Sequence, residues 1–186
     1  MSEIAKHCID GEWVESSTVS HSINPATGAV LGQWADGGKA EARAAIAAAR
    51  RTFDNASWSR DRVLRHRALS EMADRFDAHA DELGTLVTKE NGKILAQGMF
   101  ESATAGGTLR HNAAEALTDS GISAEVAPGQ WFSTYAEPAG VVGIIVPWNA
   151  PSPCSSGRWP LRCPRGTPSR SRCPGRRRWC PTWSPR

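Results

Sequence analysis

The sequence predicts an α/β fold, and three observations carry the prediction. Short apolar runs between turn residues open the chain. Stretches with helical periodicity fill its middle, and an unbroken run, Val141–Val146, stops at Pro147, Trp148 and Asn149. Turn-bounded runs predict antiparallel hairpins. A short, continuous β-branched run predicts a strand buried on both faces, of the kind found in parallel sheets. With 186 residues, the chain is long enough for one domain with a core.

The elements follow in order. Ile9, Trp13 and Val14 flank a turn at Asp10-Gly11, and Asn24-Pro25-Ala26-Thr27-Gly28 makes a second turn ahead of Ala29, Val30 and Leu31. Gly37-Gly38 separates these hairpins from an Ala-rich helix over 40–53, whose stripe is Ile46, Ala49 and Phe53. From about Ser59 a longer helical pattern places Leu69, Met72, Phe76, Ala80, Leu83 and Val87 on one face. Arg62, Arg65, Glu71, Asp74 and Arg75 lie off that face, and Gly84 marks a division into two helices. Asn91-Gly92 predicts a stop, because Gly takes the left-handed C′ conformation at little cost. A further helix is expected over 95–117, weakened by Gly106-Gly107. Residues 126–139 predict an extended arm or hairpin around Pro128-Gly129.

After Ala150 the composition changes. Residues 151–186 contain no Ala, Val, Ile, Phe, Met, Lys, Asp or Glu. They hold nine Arg and no acid; subtracting that nine from the net +3 leaves −6 for residues 1–150. So little apolar content cannot offset the entropy of ordering, and the tail is expected to be disordered. Its basic charge admits non-specific attraction to nucleic acid or anionic lipid, but no periodicity supplies the rigid platform that base stacking needs. The five Cys (Cys8, Cys154, Cys163, Cys173 and Cys180) form no C-x-x-C, and no His follows His111, so no metal site is expected. Met1–Trp13 shows no apolar signal-peptide core and no segment is apolar enough to span a membrane, which points to a cytoplasmic protein with reduced thiols.

In open α/β sheets, ligands bind beyond the carboxyl ends of the strands. Pro147, Trp148 and Asn149 occupy that place. Pro147 cannot continue a central strand, so the backbone turns there. Asn149 offers an amide donor for negative charge developing on a carbonyl oxygen; equally, it can cap a following helix. His66, His79 and His111 read as solvated surface residues. Glu90 and Glu101 read as capping or pairing groups on helices.

Several stretches resemble the N-terminal part of the NAD(P)-dependent aldehyde dehydrogenase superfamily. They are INPATGAV at 23–30, ARRTF at 49–53, TKENGK at 88–93 and EPAGVVGIIVPWN at 137–149, in that order. The resemblance implies an incomplete aldehyde-dehydrogenase-like fold over 1–150: hairpins, helices and the first strand of a variant Rossmann sheet. It implies that Ile145, Val146, Pro147 and Trp148 pass along the nicotinamide end of NAD or NADP. Asn149 would help form the oxyanion hole, and 126–139 would be part of the arm that pairs subunits into a homo-oligomer.

The family's chemistry needs a Cys thiolate to attack the aldehyde and a Glu as general base for thioester hydrolysis. Their motifs are expected well beyond these residues. The family's ribose-binding Lys has no counterpart here, since no Lys follows Lys93. The 186 residues are therefore expected to be a fragment without activity of its own, of poor solubility, with Val141–Val146 lacking sheet neighbours. With GC-rich codons read one base out of phase, the tail yields an apolar helix and then a strand leading to a Val-Lys-x-Pro motif, so a frameshift after Asn149 is expected. Two other readings stand beside this one: a fragment that binds an intact homologue through 126–139, and a nucleic-acid binder acting through the basic tail.

Overall fold

The computed structural model describes residues 4–118, 121–135 and 137–151, together with the backbone of 169–172. Two antiparallel hairpins come first: β1 (His7–Ile9) with β2 (Glu12–Val14), and β3 (Val19–Ile23) with β4 (Val30–Ala35). Asp10 and Gly11 both take positive φ, 57° and 83°. That is the two-residue turn whose twist matches a hairpin, and Asp-Gly suits it because neither residue pays heavily for the left-handed region. In the second turn the Asn24 side chain accepts the Ala26 N–H at 2.9 Å, an Asx turn.

Helix α1 (Lys39–Asn55) follows. Glu41 reaches back to accept the Gly38 N–H at 2.8 Å. This is half of a capping box, since Gly38 has no side chain for the other half. The expected stripe is displaced: Ala48 is the buried residue and Ile46 is 51% exposed. The helix rests on β1, on the short 3-10 turn at Ser57–Ser59 and on residues 169–172, and these contacts leave Ile46 half exposed.

Three helices build the core. They are α2 (Arg62–Ala78), α3 (Ala80–Asn91) and α4 (Leu95–Thr118), with α4 lying along both others. Asp61 caps α2 by accepting the Leu64 N–H at 2.9 Å. Leu69, Met72, Ala73 and Phe76 of α2 pack with Leu83 of α3 and Ala105, Leu109 and Ala113 of α4. Burying these side chains supplies the largest favourable contribution to the unit.

Two expectations change here. The break between α2 and α3 falls at His79, and Gly84 lies inside α3. Gly84 serves packing instead: a Cβ there would lie 2.9 Å from Met99 Cα, so its absence lets α3 and α4 approach closely. Gly106 has the same explanation, since a Cβ would meet the Asp77 carboxylate of α2. Arg65 is not a surface residue. It is buried, and its Nη1 donates to the Trp58 carbonyl at 2.7 Å, because the turn before α2 folds over it. His66 is half-buried, with Nδ1 3.0 Å from the Ala113 carbonyl oxygen.

Strands β5 (Ser123–Ala127) and β6 (Gln130–Ser133) form a hairpin that starts three residues before the expected 126–139 and turns at Gly129 with φ 75°. Strand β7 (Val142–Ile145) runs parallel to β8 (Ser169–Arg172), with Val142 opposite Ser169 and Ile145 opposite Arg172. The tail thus contributes four residues of strand where disorder was expected. A ladder needs only backbone donors and acceptors, so composition does not forbid one. The rest of that expectation, over 152–168 and 173–186, lies outside the described residues. Burial of β7 on both faces is also corrected. Ile144 is buried and Ile145 exposed, because among the described residues one face of the strand is covered. No helix among the described residues is long and apolar enough to cross a membrane.

Candidate functional site at the end of the parallel strand

Side chains at the exit of β7 alternate as a strand requires. Val146 is 2% exposed and anchors the strand end, whereas Ile145 is 70% exposed and Trp148 60%. Pro147 is half-buried and Asn149 exposed. Any contact of Val146 with a ligand is therefore through its backbone. Ile145 and Trp148 can offer apolar side-chain surface.

The segment beyond the strand is held by its carbonyls. The Asn91 side-chain amide donates to the Trp148 carbonyl at 3.0 Å. The Lys93 ammonium donates to the Asn149 carbonyl at 2.6 Å and to both Glu101 carboxylate oxygens at 2.7 Å. The Lys93 and Glu101 side chains are 6% and 9% exposed, a buried pair in which each charge has its partner.

The residues flanking these clamps bind other elements. Glu90 accepts the Ser22 hydroxyl of β3 at 2.6 Å. Gly92 caps α3 in the left-handed region at φ 79°, and a Cβ there would lie 2.9 Å from Pro25 Cγ. Four consecutive residues, Glu90 to Lys93, thus join β3, the Asn24–Gly28 turn, the segment after β7 and α4. The three most distinctive sequence stretches are parts of one junction.

Asn149 is fixed through its main chain while its carboxamide points to no hydrogen-bond partner among the described residues. The alternative role of Asn149, capping a following helix, turns on backbone N–H groups beyond Pro151 and so lies outside the described residues. A free amide donor at a pinned strand end can stabilise an oxyanion.

Ile145 and Trp148, close to Asn149 in the chain, leave apolar side-chain surface exposed. The other residues singled out earlier lie apart from this strand end. Cys8 is a free, half-buried thiol in β1. His79 pairs with Glu82 in α3, and His111 with Glu115 in α4. Cys154, Cys163, Cys173 and Cys180 lie outside the described residues. Among those described, no three His, Cys, Asp or Glu side chains are grouped to hold a metal.

Sequence reasoning passed over Asn91, Lys93 and Glu101 as site residues. Asn91-Gly92 reads as a helix stop, and Glu101 as a pairing group; both readings hold. What no local pattern reveals is that the partner surface lies 56 residues further along the chain.

Comparison with known proteins comes to the same region. The profile of the aldehyde dehydrogenase family matches residues 13–161. Aldehyde dehydrogenase 1 of Tanacetum cinerariifolium is 35% identical over 154 residues, covering 81% of this chain and 31% of that protein. Among solved structures, an NAD-dependent aldehyde dehydrogenase from Sinorhizobium meliloti superposes with a TM-score of 0.87 at 28% identity, covering 93% of this chain and 36% of the other. A betaine aldehyde dehydrogenase from Staphylococcus aureus, solved in complex with NAD+, gives 0.86 at 29% identity, covering 92% and 35%. The chain spans about a third of the length of these relatives.

Proposed function

This chain belongs to the aldehyde dehydrogenase family, and on that premise we propose that residues 1–150 supply one side of a site that oxidises an aldehyde to a carboxylic acid with NAD or NADP. In this reading the Asn149 amide donates to the substrate oxygen as negative charge develops there. Ile145 and Trp148 flank the nicotinamide end with side-chain surface, and Val146 and Pro147 with backbone. The cofactor, when bound, accepts the hydride. The observation that carries the reading is the pinned strand end: two successive carbonyls are clamped while the Asn149 carboxamide is left without a partner among the described residues.

The described residues hold no nucleophile at this strand end, and Cys8 belongs to the N-terminal hairpin. Cys154 and Cys163 lack the flanking motif of the family's nucleophile, so the reading expects no turnover from the 186 residues alone. The test is aldehyde-dependent formation of NADH or NADPH, followed by absorbance, with the 186-residue protein and with the same sequence joined to the remaining two-thirds of a relative. Turnover by the joined protein that falls on Asn149→Ala supports the reading. An undiminished rate in that variant, or turnover by the 186 residues alone, contradicts it.

Two further parts of the reading have their own tests. The β5–β6 hairpin exposes Trp131 (69%), Phe132, Val126 and nearby Tyr135, the kind of apolar ribbon that another subunit or an intact homologue would cover. Pull-down with an intact homologue, lost on Trp131→Ser, supports that role. A frameshift shortly after Asn149 is tested by the nucleotide sequence: a dehydrogenase-like frame one base out of phase supports it, and its absence removes it.

A further inference from the structure

We propose that Lys93 is a positioning residue for the Asn149 amide. This deepens the reading above, which assigns Asn149 to the oxyanion. An ammonium has three N–H donors. Here three acceptors take them: Glu101 Oε1 and Oε2 at 2.7 Å each, and the Asn149 carbonyl at 2.6 Å. With every donor engaged, the Lys93 head has one orientation. Glu101 sits on α4, which is packed against α2 and α3, so the Asn149 carbonyl is tied to the three-helix core.

Asn91 holds the preceding carbonyl, that of Trp148, from the end of α3. Two adjacent carbonyls anchored to two helices fix the peptide planes on either side of Asn149. The direction of its Cα–Cβ bond follows. Among the described residues the carboxamide has no hydrogen-bond partner, which is what an oxyanion donor requires: a geometry set before the substrate arrives.

The pair also explains how a lysine is buried here. A buried ammonium without a counter-charge is strongly unfavourable, so Glu101 has two separable roles. It neutralises Lys93, and it orients it. Replacing both by apolar residues of similar size leaves no orphan charge and costs little overall stability. Such a replacement removes the tether alone.

The test uses the 186-residue chain in three forms: unaltered, with Lys93→Met and Glu101→Leu together, and with Asn91→Ala. Amide hydrogen exchange is followed at 148–150 and in the helical core at Leu69 and Leu109, with the heteronuclear NOE of the Asn149 amide as a spectroscopic signature. In the double variant, exchange at 148–150 is expected to rise about tenfold or more and the NOE to fall, while core exchange stays within about twofold. Asn91→Ala is expected to do the same to a smaller extent.

Three outcomes overturn the proposal. They are unchanged exchange at 148–150 in both variants, a rise shared equally by Leu69 and Leu109, and a double variant in which the Asn149 NOE is unaltered. All readings are taken without cofactor or substrate. A later finding that Asn149→Ala leaves turnover intact in the joined protein therefore counts against the oxyanion role, and the tether is judged separately.

Discussion

Replacing Gly98 by Ala tests how α3 and α4 meet. A Cβ at Gly98 would lie 2.5 Å from the Gly84 carbonyl oxygen and would also meet Thr88 Oγ1. The first of these is backbone, so the helices must separate for the methyl to fit. Overpacking of this kind costs about 1–3 kcal/mol. Opposing it, Ala is the better helix former by about 0.5–1 kcal/mol. Gly107 separates the two effects. It lies on the same helix and is exposed, and a Cβ there meets nothing within 4 Å. Gly107→Ala should therefore show the propensity gain alone. The gain cancels between the two variants, and the expected gap in stability is the packing cost, about 1–3 kcal/mol. For a chain of this size that is about 2–12 °C in melting temperature. Circular dichroism of the helical signal during heating or urea unfolding measures it. If Gly98→Ala melts with or above Gly107→Ala, the close approach of α3 and α4 is wrong.

The remaining predictions concern the same helices. Leu109 is fully buried in the centre of the three-helix core, and Leu109→Ala should destabilise by about 2–5 kcal/mol in urea unfolding, the cost of lost transfer energy plus a cavity. Asp61→Ala removes the acceptor of the Leu64 N–H and should cost about 0.5–2 kcal/mol, whereas Asp61→Asn should retain most of it. Glu41 titrates below its ordinary value of 4.5, because its own backbone N–H and that of Gly38 donate to the carboxylate. A depressed folded value means that this contribution to stability is complete above about pH 4.5 and is lost as pH falls through the lower, folded value. An NMR titration of the Glu41 carboxyl that centres at or above 4.5 would refute it.

Local chemistry made much of the fold legible. Asp10-Gly11 specified its turn because a two-residue hairpin needs positive φ at both positions. Asn91-Gly92 specified a helix end for the same stereochemical reason. The Leu69–Val87 stripe was legible because burial on one helix face repeats every 3.6 residues. Patterns of this kind fail where burial depends on what stands opposite. Ile46 is apolar and periodic yet half exposed, and Arg65 is charged yet buried, where the Trp58 carbonyl accepts from its guanidinium. Gly84 and Gly106 read as helix breakers from propensity, and they are contact points between helices.

The amino-acid order by itself determined the hairpins, the helical stretches, the β-branched strand that stops at Pro147, and the resemblance that names Asn149. Those features depend on the conformational limits of residues close together in the chain. Tertiary structure alone decided that Glu90, Asn91, Gly92 and Lys93 converge on β3, the Asn24–Gly28 turn and the carbonyls of Trp148 and Asn149, and that Lys93 is neutralised by Glu101. It also set 169–172 beside β7. Hydrogen bonds and ion pairs join atoms by distance in space, and a separation of 56 residues leaves no trace in local periodicity.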